Sequence, residues 1–96
     1  MEDKKKIIHA LNNEVRYKIL RILSEKEGYV CHISLKIKKS QPTISAQLSR
    51  LYHLGIVGVR KQGNKRCYYL INKKVKEIIN ILEDKKNSTK LNQGGK

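Results

Sequence analysis

The chain holds a single proline, Pro42, two residues after Ser40 and near the middle of the sequence. Proline lacks the backbone N–H, so it sits without cost in the first turn of a helix and breaks one further along. Ser40 is a good N-cap. A helix is therefore expected from this point to about Leu54, closed by Gly55. Ile44, Leu48 and Leu51 form its buried stripe. Ala46, Ser49, Arg50 and His53 point the other way, with Thr43 and Ser45 on the flanks.

This helix lies inside a one-signed block. From Gly28 to Lys76, 49 residues contain no aspartate or glutamate and eleven Lys or Arg. A net charge of +14 and a pI near 10.0 imply a polyanionic partner. At 96 residues the chain makes one domain. Its apolar fraction of 39%, with no Trp or Phe, gives a small core that a dimer contact would help. No segment approaches the ~20 apolar residues of a spanning helix, so a membrane is not an expected partner. No apolar leader follows Met1, which places the expected location in the cytoplasm. Cys31 and Cys67 are too few for a disulfide scaffold.

The remaining periodicities supply the neighbours of the central helix. Ile7, Ile8 and Leu11 lie on one side of a helix from Asp3 to Leu11. Asn13 is an N-cap for a second helix to about Lys26, with Val15, Ile19, Ile22 and Leu23 as its stripe. Gly28 ends it, and Tyr29–Val30 can form a very short strand. From Cys31 to Lys38 the pattern fits strand or helix; helix is chosen because a new helix starts at once. Ile56–Lys61 and Arg66–Ile71 read as strands joined by Gln62-Gly63-Asn64-Lys65, a hairpin signal. Asn72 caps a last helix with Val75, Ile78, Ile79 and Leu82 in phase. The expected fold is mainly α with a small β-hairpin wing: a winged helix-turn-helix over residues 1–84, followed by a disordered basic tail over 85–96.

The segments NNEVRYKILRIL (ending at Leu23), SQPTISAQL (Ser40–Leu48) and LGIVGVRKQGNKRCYYL (Leu54–Leu70) resemble the winged-helix repressors of the arsenic-repressor type. The match runs from about Asn12 to Leu82. Size and charge are also similar to small winged-helix proteins of archaeal viruses. The resemblance implies a homodimer joined by the terminal helices on an inverted-repeat operator. Three departures qualify it. Lys38-Lys39 replaces a glycine often found in the helix-helix turn. Ala46-Gln47 replaces a pair of histidines, so base preference need not carry over. The Cys-Val-Cys box of metal-sensing members reads Tyr29-Val30-Cys31-His32, and the last helix has no histidine. A Cys-His step supplies at most two of the four ligands zinc takes, so no metal or other cofactor is expected.

In such a protein the recognition helix enters the major groove and the wing touches backbone or minor groove. Gln41, Thr43, Ser45 and Gln47 are the candidate base readers, with Ser40 and Ala46 on the same helix start. Gln47 could bond bidentately to adenine. Lys39 and Arg50 are candidate phosphate clamps. Arg60, Lys61, Asn64, Lys65 and Arg66 are the wing candidates. Ile7, Ile8, Leu11, Val75, Ile78, Ile79 and Leu82 are expected at the dimer contact. Cys31 and Cys67 form a candidate redox pair if their strands meet. No catalytic constellation appears, so an enzyme is not expected. The expected function is sequence-specific binding of double-stranded DNA as a transcriptional regulator, expected to be a repressor. The alternatives are a non-specific DNA-packaging protein on the same fold and a redox-switched regulator. An RNA-binding module fits less well, because Tyr68 and Tyr69 fall inside a wing strand instead of forming a stacking platform.

Overall fold

The computed structural model describes residues 3–84. The expected basic tail over 85–96 lies outside the described residues. The order is α1 (Asp3–Leu11), α2 (Glu14–Glu25), β1 (Gly28–Tyr29), α3 (Val30–Ile37), α4 (Gln41–His53), β2 (Val57–Gln62), β3 (Lys65–Leu70) and α5 (Lys73–Leu82). This is the winged helix-turn-helix expected from the sequence. The ambiguous segment after Cys31 is helical. The short strand is shifted back by one residue and becomes the third strand of a sheet ordered β1-β3-β2.

The helix starts follow their caps. Asn13 Oδ1 accepts from Arg16 N–H at 3.0 Å, and Asn72 Oδ1 accepts from Val75 N–H at 3.0 Å. Each satisfies one donor left open at a helix start, worth about 1 kcal/mol. α4 ends at Gly55, whose φ of +78° is open to glycine at little cost. The hairpin turn is Gly63-Asn64, flanked by the pair Gln62–Lys65. Only Gly63 has positive φ there, the pattern of a type II′ turn, which suits the strand twist.

Ile19 and Leu20 from α2 join Ile44, Leu48 and Leu51 from α4 in a core where each is fully buried. Each such side chain contributes about 1.5–3 kcal/mol over its exposed state. Ile33, Ile56, Val57, Tyr68, Val75 and Ile79 complete it. The α2 stripe is rotated from the expected one: Leu20 is buried, while Val15 and Ile22 are half-buried. The reason is position. α2 contacts α1, α3, α4, α5 and β3, and a helix surrounded in this way buries a wide arc.

The expected dimer residues divide in two. Ile7, Val75 and Ile79 are buried inside the protomer, where they offer little surface to a second copy. They serve the core because α1 and α5 both lean on α2. Ile8 (60% exposed) and Leu82 (62%) remain on the surface, with Leu11 and Ile78 half-buried. Ile81, 70% exposed, joins them. It falls off the Val75–Ile79 line and is not among the expected contact residues. α1 and α5 meet at a hollow lined by Lys4, Ile7, Ile8, Lys74 and Ile78.

Candidate nucleic-acid interface

The turn between α3 and α4 is Lys38-Lys39-Ser40. Lys38 takes the left-handed conformation at φ 67°, ψ 45°, and its N–H bonds Ser34 O at 2.8 Å. Ser34, itself buried, donates from its hydroxyl to Lys39 O at 2.5 Å. Ser40 Oγ accepts from Thr43 N–H at 3.3 Å and donates to Thr43 Oγ1 at 2.9 Å. That leaves the Thr43 O–H as a donor toward solvent. Gln41, Thr43, Ser45, Ala46 and Arg50 are all exposed on α4, as are Lys39 and Ser40 ahead of it.

The wing meets this helix start. Gln41 lines one cleft with Asn64, Lys65 and Arg66 of the hairpin and with Tyr29, Val30 and Cys31. Recognition-helix and wing candidates, far apart in sequence, thus share a concave surface. Alternation along the strands puts Lys61 and Arg66 on the sheet face that carries the core residues Val57 and Tyr68, beyond the core's edge. Lys61 and Arg66 are also direct cross-strand partners. Like charges placed opposite one another destabilise a hairpin unless an anion lies over them.

Two candidates are otherwise engaged. Arg60 alternates to the opposite sheet face. There it pairs with Glu27 and lies 4.8 Å from the centre of the Tyr69 ring. It is a sheet brace and does not line the cleft. Gln47 is half-buried on the flank of α4, and its Oε1 accepts from Arg16 Nη1 at 3.0 Å. Arg16 is 6% exposed, and its Nε and Nη2 donate to the carbonyls of Ala10 and His9 at 3.3 and 2.9 Å. Burial first, and the nearby Arg50 second, lower its pKa. An arginine on an amphipathic helix reads as a solvated residue. Only its place one residue outside the Val15 stripe and its phase with Ile19 and Leu20 hint otherwise.

Both thiols are free. Cys31 is half-buried at the cleft, and Cys67 is buried in β3, its pKa raised chiefly by burial. Tyr29 is the cross-strand partner of Cys67. Among the described residues, no group of three or more His, Cys, Asp or Glu is placed to hold a metal ion, and no helix is long and apolar enough to cross a membrane.

Residues 13–59 match the arsR family, described as bacterial regulatory protein. A helix-turn-helix-type transcriptional regulator of Methanocaldococcus jannaschii is 40% identical over 81% of this chain and 89% of its own length. A putative arsenical resistance operon repressor of Halobacterium salinarum is 34% identical over 81% of this chain; the match spans 66% of that relative. Among solved structures, HlyU of Vibrio cholerae superposes with a TM-score of 0.78 at 31% identity, covering 86% of this chain and 95% of that one.

Proposed function

Because the chain belongs to the arsR family of bacterial regulatory proteins, and is thus a DNA-binding winged-helix transcription regulator and not an enzyme, we propose that it acts in the cytoplasm as a homodimer that recognises an inverted-repeat operator and represses transcription. The observation that carries this reading is the shared cleft, which Gln41 of α4 lines together with Asn64, Lys65 and Arg66 of the wing. α4 enters the major groove, with Gln41, Thr43 and Ser45 at base edges. Lys39, Arg50, Lys61, Lys65 and Arg66 engage phosphates.

Dimerisation buries Ile8, Leu11, Ile78, Ile81 and Leu82. Two-fold symmetry then sets the recognition helices about one DNA turn, roughly 34 Å, apart. Repression is favoured by the haloarchaeal relative, named a putative repressor, although Vibrio cholerae HlyU is named an activator.

Selection of DNA fragments by the purified protein, followed by footprinting, tests the proposal. The expected result is a two-fold symmetric site bound well above random DNA. Thr43→Ala should weaken that site by about 1–3 kcal/mol more than random DNA, while Lys65→Ala weakens both equally. A specificity ratio near one would identify a DNA-packaging protein. A monomer at micromolar concentration with intact DNA binding would remove the dimer.

A further inference from the structure

The outward stripe of α4 runs through Thr43, Ala46, Arg50 and His53, the i, i+3, i+7 and i+10 positions that stack along one helix face. Thr43, at its start, is a base reader in the proposed function. His53 lies ten residues on, about 15 Å further along the axis, which exceeds the ~12 Å width of a major groove. A helix whose first turn meets base edges therefore carries its last turn out to the sugar-phosphate wall. At that end the stripe meets α1. Ala46, Ser49, Arg50, His53 and Leu54 form an open hollow with His9. Arg16 of α2 fixes the junction from behind: its guanidinium donates to the His9 and Ala10 carbonyls and to Gln47 Oε1.

The groups that charge this hollow are His9 from α1, Arg50 and His53 from α4, and Arg16 of α2 behind them; among the described residues, no acid lines it. His9, Arg50 and His53 are exposed, and the Tyr52 ring meets the His53 ring edge-on at 5.5 Å. His53 Nδ1 lies 2.8 Å from the Ser49 carbonyl oxygen, which only accepts, so Nδ1 carries the proton. In the neutral ring Nε2 then presents a lone pair, which repels a phosphate oxygen. Protonation turns Nε2 into a donor and adds a positive charge. We infer that His9, Arg50 and His53 form a proton-dependent clamp for a DNA backbone phosphate, which fastens the far end of the reading helix more tightly as pH falls through the histidine range. The inference rests on the proposed DNA-binding function, with α4 in the major groove.

The test is the salt dependence of binding to a random-sequence duplex, read by fluorescence anisotropy at about pH 8 and about pH 5.5, on either side of the histidine range. The chains compared are the wild type, His9→Gln, His53→Gln, the double variant and His32→Gln. A random duplex isolates phosphate contacts. Each added cationic contact steepens the slope of log K against log salt by about 0.9, so two histidines per protomer should steepen the wild-type dimer slope by about 2–4 at the lower pH. Each single variant at His9 or His53 should remove about half of that change, and the double variant nearly all of it. His32, on α3 with its ring against Tyr29, should carry none. A merely structural histidine would change affinity at both pH values and leave the difference between the slopes intact. Equal wild-type slopes at the two pH values overturn the inference. So does a difference that survives the double variant or disappears in His32→Gln. Replacing chloride by inorganic phosphate at equal ionic strength tests the other source of the same ligand. An unchanged pH difference supports the DNA backbone, whereas a difference lost in phosphate would make the hollow a free-anion site and overturn the assignment. A steep slope that ignores pH removes the clamp and leaves DNA binding standing; no binding at either pH takes the proposed function down with it.

Discussion

Gly58 and Tyr69 are cross-strand partners in the wing, and a Cβ at position 58 would stand 2.6 Å from the Tyr69 ring. The ring lies across the bare glycine backbone, and Arg60 in turn lies over the ring. Gly58→Ala must displace Tyr69 and with it the Arg60 brace. We expect a loss of roughly 1–3 kcal/mol, the range for overfilling a packed site. Urea unfolding should show it, and a double-mutant cycle with Tyr69→Ala should recover a good part of it. Full additivity of the two changes would mean that the ring has another place to go.

Lys38 holds a left-handed conformation between the two helices of the reading motif. For a residue with a side chain that conformation costs about 1–2 kcal/mol, and glycine escapes most of it. Lys38→Gly should therefore stabilise the fold by about 1 kcal/mol, a rise in Tm of roughly 4–8 °C for a domain of this size. DNA affinity should fall slightly if Lys38 touches phosphate. An unchanged or lower Tm would show that the lysine side chain contributes packing that offsets its backbone.

Association with DNA should be strongly salt-dependent. If each protomer neutralises about three to five phosphates, the slope of log K against log salt is about −5 to −9 for the dimer. Lys61, Arg66 and Lys65 should each reduce its magnitude by about two when replaced by alanine, one contact being lost per protomer, and Arg60 should not. A slope shallower than about −2 would mean that the acid-free block faces something other than DNA. An Arg60→Ala slope reduced like the others would mean that its pairing with Glu27 opens on binding.

Tyr17 donates to Glu83 Oε2 at 2.5 Å, and Arg21 lies 3.5 Å from the other oxygen, joining α2 to the end of α5. Burial first, and then the bond to Glu83, push the Tyr17 pKa up to about 12. An unfolded tyrosine titrates near 10. The folded pKa is the higher one, so this stabilisation is complete below about pH 10 and is lost as pH rises toward 12. Tyr17→Phe should flatten the stability profile across that window and leave its slope near neutrality unchanged. An equally steep alkaline fall in Tyr17→Phe would assign the loss to other groups.

The backbone plan was legible because its signals are local. Ser40 and Pro42 mark a helix start, Gly63-Asn64 a turn, and Ile44, Leu48 and Leu51 repeat at the helical period. The α1 and α5 surfaces were harder. Ile7 and Ile8 are adjacent and equally apolar, yet one is buried and the other 60% exposed. Only the orientation of α1 on α2 separates them. The engagement of Arg60 and Gln47 depended on partners 33 and 31 residues away, contacts that no local pattern announces. The overlap of the Gln41 and Arg66 surfaces likewise comes from the sheet pairing.

That pairing has a mechanical consequence. β1 is only two residues long, but it runs straight into α3, and its partner is β3 of the wing. Tyr29 extends the tie, its hydroxyl meeting Gln62 and its ring lying 5.5 Å from the Lys65 ammonium. The hairpin is thus no loose flap that must find its groove after docking. It is bolted to the start of α3, the helix that leads into the reading helix α4, so both prongs arrive at the duplex already set at a fixed span. The ordering cost of the wing is met when the chain folds, and encounter with DNA can begin from a rigid jaw.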